Sequence, residues 1–285
     1  MKMVYTIAAM LLAGSLAVAA DTAGTNNDIS EFHQHAMGGQ LEITPHLMYD
    51  MAKSEVGTAS TDITGFRLGS EVEYGVHERF SVGADLSYRS WTADTTPEIK
   101  ISGLEDVILF GRGSSAMGMG RLAYGLDLGY SLGDHETSGN DVDAQTGGMS
   151  LVPYVGYEFM AGPGTLGGQL RYTWLGERTD KNGATETKIE DGSGLGLGAF
   201  YEYPVSEGAT VGASLRYDMS GNTKTAGVTG TDQRNTLGVS VYAPINAGTN
   251  MTVIPRLDWS QQSADNAATA EVGQVSIGAA LRIWM

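Results

Sequence analysis

A two-residue alternation of apolar and polar side chains recurs twelve times along this chain, and its connectors alternate between short and long. The runs lie near 39–52, 63–75, 79–92, 103–115, 120–132, 147–160, 164–178, 193–205, 208–220, 234–245, 249–262 and 270–285. A period of two sends successive side chains to opposite faces of an extended strand. Strands of globular sheets run to about 5–6 residues, and most of these runs are far longer. A tilted strand crossing a bilayer needs ~9–11 residues plus its extensions at each rim. Five connectors are short, at 75–78, 116–120, 161–164, 206–208 and 246–248. Six are long and polar, near 53–62, 93–102, 133–146, 179–192, 221–233 and 263–269. Such sorting gives one tight-turn side, which holds both chain ends, and one long-loop side. A soluble sandwich has no reason to sort its loops by alternate position.

The faces agree with this pattern but do not decide it. One run carries Ala209, Val211, Ala213, Leu215 and Tyr217 against Thr210, Gly212, Ser214, Arg216 and Asp218. A sandwich with its apolar side inward would show the same alternation. The aromatics separate the two cases. Tyr49, Tyr88, Tyr130, Tyr172 with Trp174, Tyr217 and Trp259 recur near the loop ends of alternate runs. Tyr74, Phe80, Phe159, Tyr203 and Trp284 mark the turn ends. Tyr49, Tyr88 and Tyr130 each follow an apolar residue (Leu41, Phe80, Leu122) by eight positions. At ~3.3 Å per residue and a tilt near 40° that spacing is roughly 20 Å, close to the apolar band of such barrels. Amphipathic rings prefer the headgroup layer, so two girdles at membrane spacing have a physical cause. The expected fold is all-β: a transmembrane antiparallel up-and-down β-barrel of 12 strands, with 10 or 14 as alternatives.

Residues 1–20 read as a secretory signal peptide. Lys2 precedes an apolar stretch from Tyr5 to Leu16, and Val18-Ala19-Ala20 supplies small residues before Asp21. Residues 21–37 read as a polar periplasmic arm, either a free tail or a partial plug, and 38–285 as the barrel. The chain has no Cys, which excludes disulfides, thiolate metal sites and lipoprotein anchoring. After Asp21 no stretch approaches the ~18 apolar residues of a membrane helix.

With its leader, even strand number, girdles and terminal amphipathic strand, the mature chain resembles bacterial outer-membrane β-barrel (porin-like) proteins. Such chains usually end in Phe or Trp; here Met285 follows Trp284. Gly103-Leu104-Glu105-Asp106-Val107 is similar to a Gly-Leu-Gly-Asp-Val segment of phenol-degradation-associated barrels. The resemblance implies an outer-membrane location in a Gram-negative bacterium, insertion by the outer-membrane assembly machinery, and contact with lipid and lipopolysaccharide. It also implies a monomer or small homo-oligomer.

Alternation assigns many charges to the inner face. Arg67, Arg89, Arg112, Arg121, Arg171, Arg216, Arg256 and Arg282 share inward parity with Glu42, Asp50, Glu71, Glu73, Asp85, Asp127, Glu158, Glu177, Glu202, Asp218 and Asp258. Arg at mid-bilayer on a barrel costs ~2–4 kcal/mol, so these groups belong in a wet lumen or in mutual pairs. Two functions follow. One is a pore for passive diffusion of small hydrophilic solutes, weakly selective and neutral to mildly cation-preferring, since acids outnumber bases. The other is a structural or surface-interaction barrel braced by ion pairs, without an open channel. Loop 133–146, among the longest, is the candidate constriction.

The formal net charge is −16, and Asp134, Glu136, Asp141 and Asp143 share one loop. They read as a solvated acidic surface, since no EF-hand spacing is present. No cofactor or metal is expected; His33 and His35 lack further ligands nearby. A membrane-embedded hydrolase would need a Ser or Asp activated by His. His46 alone sits mid-run with inward parity, His77 lies in a turn, and His135 lies among loop acids, so the expectation is no enzyme.

Overall fold

The computed structural model describes residues 30–221, 224–225, 228–229, 234–264 and 271–285. The expected leader and residues 21–29 of the expected arm lie outside the described residues, as do most of the loops expected at 221–233 and 263–269.

Twelve strands form the wall: β1 (Leu41–Val56), β2 (Ala59–His77), β3 (Phe80–Ala93), β4 (Ile99–Leu104 and Val107–Met117), β5 (Gly120–Tyr130), β6 (Met149–Ala161), β7 (Gly164–Leu175), β8 (Gly192–Ser206), β9 (Ala209–Ser220), β10 (Arg234–Tyr242 and Ile245–Gly248), β11 (Met251–Ala264) and β12 (Glu271–Trp284). Each pairs antiparallel with its chain neighbours. β1 and β12 close the barrel, from Glu42 opposite Trp284 to Glu55 opposite Glu271. Closure removes every sheet edge, which is what a spanning sheet requires where no water can satisfy backbone groups. Two strands are interrupted. β4 breaks at Glu105-Asp106, beside Gly103 at φ 137°, and β10 breaks at Ala243-Pro244, where proline cannot donate to the ladder.

The short connectors are two-residue turns; Gly118 and Gly162 take φ near 62° and 65°, a region that favours glycine. The long-connector side departs from expectation. The loop expected at 53–62 is a continuation of β1 and β2 to a tight turn at Gly57-Thr58. Much of 93–102 belongs to the upper segment of β4. In 133–146, His135–Ser138 and Asp141–Asp143 form a small hairpin. In 179–192, Arg178–Asn182 pairs with Thr185–Ile189. These hairpins dock edge to edge: Asp141–Asp143 runs parallel to β4, and His135–Ser138 runs parallel to Arg178–Asn182. Above the bilayer both faces can be hydrated, so hydropathy carries no mark of a strand there.

The packing is inverted relative to a soluble domain. Leu47, Leu68, Leu215 and Ile277 are each more than half exposed on the outer face, whereas Arg89 and Arg282 are fully buried. Apolar surface on this scale around a closed sheet is stable against acyl chains, not water.

Candidate functional site

The interior is organised in three layers. In the turn-side layer, Ser30 to Ala36 lie across the lumen, all but Glu31 buried, gripped by wall carboxylates. Glu158 on β6 accepts bonds from the Ser30 amide (3.2 Å) and hydroxyl and faces His33 Nδ1 at 2.9 Å. Glu202 on β8 accepts the amides of Glu31 and Phe32, each at 3.0 Å, and the Tyr242 hydroxyl at 2.8 Å. Glu73 on β2 accepts the Ala36 amide at 3.1 Å, and His35 Nε2 meets Ser114 Oγ at 2.9 Å. Arg282 forks onto Glu31, with Glu42 3.8 Å from its Nε. Phe32 stacks on Phe200 at 4.6 Å. A short 3₁₀ turn, Glu31–His33, is capped by the Ser30 hydroxyl. The arm is therefore seated against β2, β4, β6, β8 and β12 at once.

The middle layer is a lattice of ion pairs. Arg112 holds Glu71 through two bonds at 3.0 and 3.1 Å and lies 3.9 Å over the Phe110 ring. Arg67 reaches Asp50 at 3.1 Å, and Trp91 and Ser276 also donate to Asp50. Arg89 pairs with Glu105 and lies over Trp91. Asp218 takes both Arg171 (2.8 Å) and Arg216 (2.9 Å), and Asp258 takes Arg256 (2.7 Å). Arg121 contacts Ser114, and Asp127 and Asp85 are buried on the same inner face. Glu177 lies apart from them, pairing with Lys188 outside the wall strands.

The loop-side layer is apolar on one side. Ala52, Ile63, Trp91, Ala93, Ile99, Ile101 and Val272 line the inner wall from β12 to β4, and Val142 of the 133–146 segment packs onto them. Asp106, at the β4 break, ties that segment down by accepting from Ser131 Oγ (2.5 Å) and the Thr146 amide (2.9 Å). Outside the barrel wall, burial pushes the Asp143 and Asp180 carboxyls up, an effect His135 opposes. His135 is buried, with Nδ1 2.8 Å from the Gln145 carbonyl.

Between the arm and the 133–146 segment lies a cavity with about 100 Å³ of room for water. Its lining mixes Phe32, Met48, Tyr242 and Ile254 with Arg67, Asp85, Arg256 and Asp258. A smaller space shares Phe32, Ser214, Arg256 and Asp258 with it and continues past Arg216, Ser240 and Gln274.

On the outer face, Tyr49, Tyr88, Tyr130, Tyr172, Tyr217 and Trp259 are exposed toward the loop side, and Tyr74, Phe80, Phe159 and Tyr203 toward the turn side. Trp174 is partly covered. Trp284 has the parity of buried Arg282, not that of the outer face, and is half covered. A second set of aromatics, Trp91, Phe110, Tyr154, Phe200 and Tyr242, points inward. In the register these face Gly65, Gly83, Gly125, Gly167 and Gly212 on the adjoining strand. Their inward parity is visible in the sequence, but their glycine partners are not, because register is a tertiary property. His46 Nε2 lies 3.2 Å from Ser87 Oγ, and Ser87 donates instead to Asp85 at 2.9 Å.

A closed, lipid-faced barrel with a charged interior defines the class of architecture: a twelve-stranded outer-membrane-type β-barrel. No family model matches the chain, and no curated protein matches it in sequence. Among solved structures, the COG4313 outer membrane channel from Pseudomonas putida F1 is similar with a TM-score of 0.72 at 11% identity, over 90% of this chain and 99% of that one. The translocator domain of autotransporter NalP from Neisseria meningitidis is similar with a TM-score of 0.56 at 15% identity, over 97% and 98%. At such identities the likeness establishes the fold.

Proposed function

We propose that this chain resides in the outer membrane of a Gram-negative bacterium, after removal of residues 1–20, and passes small solutes by diffusion. The observation that carries this reading is the pair of adjoining spaces inside the wall, which share Arg256 and Asp258, the larger reaching Arg67 and Asp85 and the smaller Arg216, Ser240 and Gln274. A barrel meant only as a brace has no need to keep its paired charges around room for water. The outer-membrane channel from Pseudomonas putida F1, similar in fold, supports it. Selectivity is weak because most lumenal arginines are matched by a carboxylate, so neither sign dominates the wall. The surplus of acids sets a mild cation preference. Insertion uses the outer-membrane assembly machinery, and lipopolysaccharide contacts the loop side.

Single-channel recording of the reconstituted protein tests this. Small current steps are expected, with a reversal potential in a salt gradient that is near zero or slightly on the cation side. A reversal potential favouring anions overturns the sign. Folded protein that gives no steps overturns the pore and favours a closed, ion-pair-braced barrel, a reading that the arm's seat across the lumen supports.

A further inference from the structure

Most carboxylates that line the central cavity have an arginine close by: Asp258 has Arg256, Glu105 has Arg89 and Glu31 has Arg282. Asp85 is different. It is 6% exposed, lines the cavity, and has no arginine or lysine within ion-pair distance among the described residues. Its contacts are the Ser87 hydroxyl, which donates to Oδ1 at 2.9 Å, and His46, whose Nδ1 lies 4.0 Å from Oδ2. Because the Ser87 proton goes to Asp85, the neighbouring His46 Nε2, 3.2 Å from Ser87 Oγ, acts as the donor to that oxygen. The other ring nitrogen, Nδ1, is buried with no hydrogen-bond partner. Nδ1 and the Asp85 carboxylate thus face one another across 4.0 Å with no hydrogen bond between them. Gly69 makes the arrangement possible, since a Cβ there would lie 2.3 Å from Ser87 Oγ and 2.5 Å from His46 Nε2.

The rest of the lining supplies an apolar counterpart: Phe32, Met48, Ile108, Tyr242 and Ile254. We propose that this cavity binds a small organic cation, an amine with a compact apolar or aromatic body, its N–H donors directed at Asp85 and its body against these side chains. This deepens the channel reading above and rests on it for biological sense. An ammonium supplies the donors and positive charge that the Asp85 end lacks, and the aromatic rings favour a cation beside them. An anion of the same shape would meet an uncompensated carboxylate.

The test is calorimetric titration of the protein in lipid nanodiscs with benzylammonium, benzyl alcohol and benzoate, three probes of similar body and different charge. Benzylammonium is expected to bind about tenfold more tightly than benzyl alcohol, with benzoate weakest, as befits one charge-assisted hydrogen bond. Asp85→Asn is expected to erase that preference while benzyl alcohol binding persists. Equal binding of the ammonium and the alcohol, or stronger binding of benzoate, overturns the proposal. So does an Asp85→Asn protein that keeps the preference. The comparison of probes on the unaltered protein decides the matter even if the variant does not fold. Current recording on the same preparation separates the two readings: steps without ammonium preference refute the site alone, and preference without steps refutes the channel alone.

Discussion

At the scale of single residues, the inner wall depends on pairing large rings with absent side chains. Phe110 lies across from Gly83, where a Cβ would come within 2.3 Å of the ring and 2.5 Å of the Val72 carbonyl. The carbonyl belongs to the ladder and cannot retreat. Gly83→Ala is expected to cost about 1–3 kcal/mol, as overpacking does, read as a lower urea midpoint in lipid vesicles. The charges obey a different rule. Arg112 and Glu71 are 5% and 2% exposed, so removing one partner strands the other in a buried site. Arg112→Ala is expected to cost about 3–5 kcal/mol, and the Glu71→Gln, Arg112→Met double variant to recover much of that. The same urea series checks both, and a double variant no better than the single one would show that the pair is not the unit.

At the scale of elements, the arm and the 133–146 segment matter most. The backbone amides of Glu31, Phe32 and Ala36 point at Glu202 and Glu73, so wall acids from different strands replace the strand partners this segment lacks. Phe32 fills the lumen beside Phe200, and the stack is worth about 1 kcal/mol beyond area burial. Phe32→Ala is expected to raise single-channel conductance, while Phe32→Leu stays near the parent value; a fall with Ala would place the constriction elsewhere. The sequence marked residues 21–37 as polar and not strand-forming, which leaves tail and plug undivided. The division lies with Glu73, Glu158 and Glu202, which sit on three strands far away in the chain. The hairpins above the membrane were likewise invisible, because Thr, Ser, Lys and Glu alternate there without a hydropathy contrast.

At the scale of the whole molecule, a closed sheet turned outside in must be solvated by lipid. Leu215 is 51% exposed on the outer face and lies midway along β9, while Tyr217 sits nearer the loop end. Leu215→Arg is expected to cost ~2–4 kcal/mol and Tyr217→Arg only ~0–1 kcal/mol, following the depth dependence of charge on barrels. Equal costs in folding titrations into vesicles would mean that β9 does not cross a bilayer in this frame.

The sequence alone pointed to twelve strands, to turns and loops on opposite sides, and to outward aromatics and inward charges along each strand. Each of these follows from a period of two along a single strand, and needs no knowledge of which strand lies beside it. The tertiary structure decided what depends on register and on distance: which arginine meets which carboxylate, and why glycines stand opposite rings. It also decided that Ser30 to Ala36 lie inside the wall and that Asp85 and His46 meet at 4.0 Å on the wall of a cavity. These are contacts between segments tens to hundreds of residues apart, and only closure of the barrel fixes their geometry.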